Sequence, residues 1–320
     1  MASGPTVVVC VWNGRRWLPG LLESLRRQTQ APLEIIAIDN GSHDGSREWL
    51  AEHAPEVRVL PQETNTGFAR AANLGIAAAA GETVALINTD VELDAGWLAH
   101  AVSALGDGIG SVATKMLDLA DPSLIYDAGD VLRRDGVCEQ RGRFRRDAGE
   151  WDRPGEVFSA CGGAALYRRE AVLAVGGFDE RFFAYLEDAD LGLRLRMAGW
   201  GCAWEPRAIA HHAGGGSSGQ LSRPVSAWAE RNTLLLAAKA FPARWLPMVL
   251  YRQAAWLSHA LRDGEGRAFL DGVRGALPLL PAMLRERGEL RRAAVVPVEQ
   301  AVPARPWRGP LAGGHPRSPA

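Results

Sequence analysis

"ALINTDVELDAGWL" spans residues 85–98, and how it is read decides the fold. "TVALI" (residues 83–87) has the continuous apolar character of a strand buried on both faces. It nevertheless runs directly into Asn88, Thr89 and Asp90. The same pattern occurs upstream. "TVVVCVW" (6–12) reads as a strand and gives way to Asn13-Gly14, and "LEIIAID" (33–39) reads as a second that ends on Asp39 before Asn40-Gly41-Ser42. "EVRVL" is a short third strand. Helical patterns separate these runs: Leu18, Leu21, Leu22 and Leu25 within 15–28, a helix after "SHDGS" capped by Asp44 or Ser46, and a small-residue helix over about 67–80. Apolar runs alternating with helices predict an α/β, Rossmann-like, mainly parallel sheet with helices on both faces. Ligands of such sheets bind beyond the carboxyl ends of the strands. Three strand ends therefore bring Asn13, Asp39, Asn88 and Asp90 to one rim.

The pattern loosens after Leu105. Residues 118–156 are rich in Asp, Arg and Gly and are expected to include loops. "VFSACGGAALYRREAV" reads as strand, glycine turn, strand and helix. "LEDADLGLRLRMAG" reads as a helix stopped by Gly199, with Asp190 and Arg194 as an ion pair on its face. "GCAWEPRAIAHH" is a strand or hairpin segment. From about Arg223 the chain is helical, with Trp and Leu set among arginines.

The chain has 320 residues, 47% apolar and 23% charged, which suits a globular protein with a real core. A net charge of -1 argues against a protein that coats nucleic acid. From Phe241 onward there are 12 Arg and 6 Asp or Glu, so this end carries six net positive charges and the remainder seven negative. The four cysteines form no CxxC pair and read as reduced, buried thiols of a cytosolic protein. No signal-peptide pattern opens the chain. The longest apolar stretch, 233–257, is broken by Lys239, Arg244 and Arg252, so a protein that is soluble or bound to a membrane surface is expected.

No GxxxxGK[ST] loop is present to cradle phosphates. A diphosphate can instead be neutralised by Mg²⁺ or Mn²⁺, held by one or two carboxylates and by its own oxygens, and Asp90 is the candidate ligand.

"VVCVWNGRRWLPGLLESLRRQT", "EIIAIDNGSHDGS" and "INTDVEL" resemble the opening, nucleotide and metal segments of the GT-A glycosyltransferases of family 2. "GGFDERFFAYLEDADLGLRLRMAGW" is similar to that family's acceptor and catalytic-base segment. The order of these motifs across residues 5–220 is closest to rhamnosyltransferase-like members that build cell-surface polysaccharides. The resemblance implies a nucleotide-sugar half over about 1–105 and an acceptor half over about 106–222. Beyond them, amphipathic helices are expected over 223–295 and a disordered tail over 296–320. It implies that Asp39 contacts the nucleotide base in a pocket lined by Trp12 and Asn13, with Arg70 and Asn73 near the nucleotide. Asn88-Thr89-Asp90 stands where the family has Asp-x-Asp, which removes one anionic arm and leaves Asp90 as metal ligand. His212 would join it, with His211 as the alternative. Gly162-Gly163 and Gly176-Gly177 correspond to acceptor-side turns. Asp188, or its neighbour Glu187, would be the base, with Asp188 preferred because the family uses the second acid of the pair.

The implied activity is inverting transfer of a sugar, rhamnose among the candidates, from a dTDP- or UDP-sugar to a glycan or lipid-linked acceptor. The Arg-rich helices are expected to pack on the catalytic domain or to touch the inner face of the cytoplasmic membrane. Two other readings are a sugar-nucleotide nucleotidyltransferase, which would need a glycine-rich basic loop where "WNGRRWLPG" stands, and an inactive binding protein of the same fold. The "GGGSSG" at 214–219 satisfies both GxGxxG and GxSxG, but it lies too late in the chain for a dinucleotide fingerprint and has no suitable following His for a hydrolase. It is expected to be a loop over the diphosphate.

Overall fold

The computed structural model describes residues 4–214 and 223–304. The first half runs β1 (Thr6–Val11), α1 (Leu18–Arg26), β2 (Glu34–Asn40), α2 (Ser46–His53), β3 (Val57–Gln62), α3 (Phe68–Ala78), β4 (Thr83–Asn88), β5 (Val91–Leu93) and α4 (Trp97–Ser103). β3, β2, β1 and β4 lie side by side and parallel. Val11 is in register with Asp39, and Cys10 with Asn88, so the three polar strand ends share one rim. Side chains alternate across this sheet as the pleat requires. Val7, Val9 and Val11 meet α1, α2 and α4 on one face, while Val8, Ile36 and Ile38 meet α3 on the other. Gly75 is needed there because a Cβ would lie 2.2 Å from Val8 Cγ1.

The second half continues β6 (Ile109–Asp118), β7 (Ile125–Asp127), β8 (Asp130–Leu132), β9 (Cys138–Gln140), β10 (Gly155–Glu156), β11 (Ala164–Arg168), α5 (Arg169–Ala174), α6 (Glu187–Met197) and β12 (Gly201–His212). β11 is antiparallel between β4 and β6, and β12 runs parallel to β6 beyond it. The sheet is thus parallel in its first half and mixed in its second. Residues 118–156 combine loops with four short strands, two of which form the β8–β9 ribbon.

The remaining helices are α7 (Arg223–Ala240), α8 (Leu246–Arg262), α9 (Gly266–Ala276), α10 (Leu280–Ala293) and α11 (Val298–Ala301). They dock on α6 through Leu193 and Met197, which meet Leu235, Leu236, Phe241 and Val298 in a third apolar cluster. α6 is therefore covered on nearly every side although its sequence is half polar. Its Asp190–Arg194 pair, expected on a helix surface, is buried: Arg194 Nη2 lies 2.7 Å from Asp190, and Lys239 Nζ of α7 lies 2.8 Å from the same carboxylate. The expected tail boundary at 296 also shifts. Val298, Ala301 and Val302 are buried apolar residues, and they hold α11 against the core. The "GGGSSG" loop, apart from Gly214, lies outside the described residues.

Candidate active site

The rim is built by hydrogen bonds that tie one strand end to the next. Asn13 takes a positive φ of 49° at the end of β1. Its N–H donates to Ser42 Oγ (3.0 Å), and its Oδ1 accepts from His43 N (2.9 Å). Gly14 lacks a Cβ because Thr89 fills that space at 2.9 Å. Asp39 is fully buried and accepts from Ser42 N at 3.2 Å. Arg47 of α2 also caps it, with Nε at 2.9 Å and Nη2 at 2.8 Å. Nothing in the sequence around Asp39 marks Arg47 as its partner, and Arg47 occupies the Oδ2 side of that carboxylate. Trp12 is half-buried beside this loop. Asn40 closes the rim by bonding Asn65 Oδ1 (3.0 Å), Gly67 O (3.2 Å) and Thr66 N (3.0 Å).

Asp90 follows β4 and is buried. β5 pairs antiparallel with the end of β12, with Val91 opposite His212, so the two histidines alternate across that strand. His212 Nε2 lies 3.1 Å from Asp90 Oδ1, whereas His211 points outward to Asp94, also at 3.1 Å. Tyr126 stacks edge-on against His212 with ring centroids 4.2 Å apart. His212 Nδ1 is buried without a hydrogen-bond partner. The Asp90–His212 separation matches that of adjacent donors on one octahedral ion, about 3 Å for bonds near 2.1 Å. Among the described residues no group of three or more His, Cys, Asp or Glu could hold a metal ion by itself. Asp90 and His212 are thus two adjacent donors of the oxygen and imidazole type that Mg²⁺ or Mn²⁺ accepts. Asn88, the departure from Asp-x-Asp, is half-buried, and its N–H donates to Gly163 O at 2.9 Å.

Asp188 sits in the first turn of α6. Gly162 N donates to its Oδ2 (3.0 Å), and Ala189 N donates to its Oδ1 (2.8 Å). Burial raises its proton affinity, and those two N–H donors pull it back toward the ionised form. Glu187 is buried, and burial together with the charge of Asp188 holds its carboxyl well above the usual range. One of its oxygens has no partner. Gly162 therefore touches Asp188, while the place of a Cβ on Gly163 would lie 3.4 Å from His212 Cε1. The Asp90–His212 pair and Asp188 flank one two-residue turn, so the acids at 90 and 188 share one site although 98 positions separate them.

Behind this turn lies a group of residues that the sequence reading missed. Asp127 and Asp130, at the ends of β7 and β8, are buried, and burial raises both carboxyls, Asp127 to about 6. Asp127 Oδ2 has no hydrogen-bond donor. Each of these carboxyls is further raised by the charge of Asp188, and that of Asp130 also by Asp127. Arg143 opposes the shift at Asp127 and lies 3.9 Å over the Tyr126 ring. Nothing in the composition of 118–156 distinguishes these acids from loop residues.

Arg70 and Asn73, which the resemblance sets near the nucleotide, both bond the loop before α6. Asn73 accepts from Phe178 N (2.8 Å) and donates to Phe178 O (2.9 Å), so its amide fastens the loop before α6. Arg70 pairs with Glu180 at 3.4 Å on the exposed side of α3.

The site thus joins the carboxyl ends of parallel strands, a carboxylate–imidazole pair at Asp90 and His212, and a third acid, Asp188, across a glycine turn. The family model for glycosyl transferase family 2 matches residues 6–176, and that for glycosyl transferase family group 2 matches 139–259. An N-acetylglucosaminyl-diphospho-decaprenol L-rhamnosyltransferase of Mycobacterium tuberculosis is 32% identical over 266 residues, which cover 75% of this chain and 85% of the relative. A solved structure of GalNAc-T7 with UDP, GalNAc and Mn²⁺ superposes with a TM-score of 0.65 at 16% identity, covering 79% of this chain and 51% of the other. A mannosyltransferase of Pyrobaculum calidifontis with GDP-Man and Mn²⁺ gives 0.54 at 16% identity, covering 92% and 86%. The chain belongs to glycosyl transferase family 2 and is a glycosyltransferase with the GT-A fold.

Proposed function

We propose that this glycosyltransferase moves rhamnose from dTDP-rhamnose onto a sugar hydroxyl of a lipid-linked diphospho-glycan. The observation that carries the reading is the Gly162–Gly163 turn, with Asp188 on one side and the Asp90–His212 pair on the other. The relative from Mycobacterium tuberculosis supports the donor sugar and the acceptor class. Asp90 and His212 hold Mg²⁺ or Mn²⁺, which when bound neutralises the charge that grows on the departing nucleoside diphosphate. Asp39, Trp12 and Asn13 bind the nucleoside end, with Arg47 swinging aside. Asn88 offers a neutral side chain at the diphosphate. Asp188 accepts the acceptor hydroxyl's proton as the oxygen attacks the anomeric carbon. One in-line displacement breaks the bond to the diphosphate and inverts that centre.

The C-terminal helices present a second working surface. Leu250, Tyr251 and Leu261 of α8, with Leu277 and Leu284 beyond it, are exposed apolar residues on the Arg-rich part of the chain. No helix among the described residues is long and apolar enough to cross a membrane. This face suits an anionic bilayer surface, where a lipid-linked acceptor resides.

A thermal-shift panel of nucleotide sugars tests the donor. dTDP-rhamnose with Mn²⁺ raises the melting temperature by linkage, and the same protein then transfers rhamnose to a lipid-linked diphospho-sugar. A shift with UDP- or GDP-sugars alone refutes the rhamnose assignment. Co-sedimentation with anionic but not zwitterionic liposomes, reduced in Leu250→Ser/Leu261→Ser, tests the membrane face.

A further inference from the structure

The segment entering α6 is held in a conformation that its own residues disfavour. Phe183 has φ 63° and ψ −69°, and Ala184 N donates to Phe182 O at 2.7 Å, which is the rare γ-turn of positive φ. Tyr185 (φ 70°) and Leu186 (φ 64°) are left-handed as well, and none of the three is glycine. Each such conformation is strained for a non-glycine residue and persists only where the surroundings impose it. Leu186 is the residue that caps α6, so the strained stretch leads directly to Glu187 and Asp188.

The restraint comes from the C-terminal helices. Asn232 of α7 is fully buried, and its Nδ2 donates to three carbonyls of this stretch: Phe182 (2.9 Å), Ala184 (2.9 Å) and Tyr185 (2.6 Å). Arg231 Nη2 adds Phe182 O at 2.6 Å and Arg181 O at 3.2 Å. The Trp228 ring packs against Phe183 and Tyr185, with centroids 5.0 and 6.4 Å away. On the opposite side Phe183 O accepts from Ala69 N of α3 at 3.1 Å. The turn is thus fixed between the nucleotide half and α7. Without an amide donor at 232, Phe182 O would keep Arg231 and Ala184 N, but the Ala184 and Tyr185 carbonyls would lose the donor that Asn232 supplies, and the left-handed backbone would relax there.

We propose that Asn232, assisted by Arg231 and Trp228, is a positioning residue that sets Asp188 for the transfer step, which makes the C-terminal helices part of the catalytic apparatus. This rests on the reading of Asp188 as the base. Asn232 touches neither donor nor acceptor, so its loss slows transfer while leaving donor binding in place.

The test compares Asn232→Ala, Asn232→Asp and Arg231→Ala with Asp188→Asn. The readouts are transfer rate, Mn²⁺-dependent donor affinity, and amide exchange over 183–188. Asn232→Ala is expected to transfer about a hundredfold more slowly. Its donor affinity should stay within about twofold, and exchange over 183–188 should be faster. Asn232→Asp keeps the volume but turns acceptors toward carbonyls, so it should be at least as slow. Arg231→Ala leaves Asn232 in place and should fall about tenfold, which keeps the test available if the Asn232 variants fail to fold. Wild-type transfer in Asn232→Ala, or donor affinity and transfer falling together, overturns the proposal. Wild-type transfer in Asp188→Asn instead removes the base assignment, and exchange over 183–188 then judges the clamp by itself.

Discussion

The two halves of the sheet bury charge in opposite ways. In residues 4–105 the only buried charged side chains are Asp39 and Asp90, and both stand at strand ends on the binding rim. In the described residues beyond 105, Lys115, Asp127, Asp130, Arg133, Asp135, Glu187, Asp190, Arg194, Glu205, Glu230, Lys239 and Arg252 are all buried. The first half is an apolar frame whose buried charge is confined to the rim. The second half is held together by buried charge, while Asp188, the proposed base, is only half-buried. Burial of charge therefore marks the rim in the first half, whereas in the second it marks the scaffold around Asp188.

This contrast can be broken most forcefully at Lys239. Its ammonium lies 2.7 Å from Asp179 and 2.8 Å from Asp190. Lys239→Ala leaves two buried carboxylates short of a cation and should cost about 3–5 kcal/mol in denaturant unfolding. A loss below about 1 kcal/mol, the scale of surface pairs, would mean that the cluster is not structural.

A smaller effect of opposite sign is expected at Asp127. Its carboxyl is raised from 3.8 to about 6 in the fold. Its folded and unfolded forms are both protonated below about pH 3, so there it costs nothing. A penalty grows between about pH 4 and the folded value and is constant above it. Asp127→Asn should therefore gain about 2–3 kcal/mol at pH 8 and nothing at about pH 3. Unfolding curves at both values decide the matter, and an equal gain at both would show that ionisation is not the cause.

The rim of the first half should yield the least. Ser42→Ala removes one acceptor, that of Asn13 N, and should cost about 1 kcal/mol by the same unfolding measurement. A loss as large as that at Lys239 would erase the distinction between the halves.

The same contrast explains what could be read from the sequence. Valine, isoleucine and leucine runs carry period and polarity together in β1, β2 and β4, so the strands, the rim and Asp39 and Asp90 were legible. Asp188 was legible only through the resemblance of its motif, because an Asp in the first turn of a helix is ordinarily a favourable end charge. His212 could be separated from His211 by strand alternation, and the pairing of β12 with β5 bears that alternation out. Asp127, Asp130 and Arg47 were not legible. Some of their partners lie far off in the chain, Asp188 being 61 positions from Asp127, and the composition of a polar segment does not tell a buried acid from a solvated one. The bonds of Asn73 to the backbone of Phe178 are likewise visible only in the tertiary contact.

The central claim is a division of labour between Asp90 and Asp188 across the Gly162–Gly163 turn. Calorimetric titration of the nucleotide-sugar donor, with and without Mn²⁺, into wild type, Asp90→Asn and Asp188→Asn tests it most directly when paired with a transfer assay. Asp90→Asn should lose the Mn²⁺-dependent part of donor affinity. Asp188→Asn should bind donor as wild type does and transfer about a hundredfold to ten-thousandfold more slowly. Undiminished Mn²⁺-dependent binding in Asp90→Asn, or loss of donor binding in Asp188→Asn, would contradict the account.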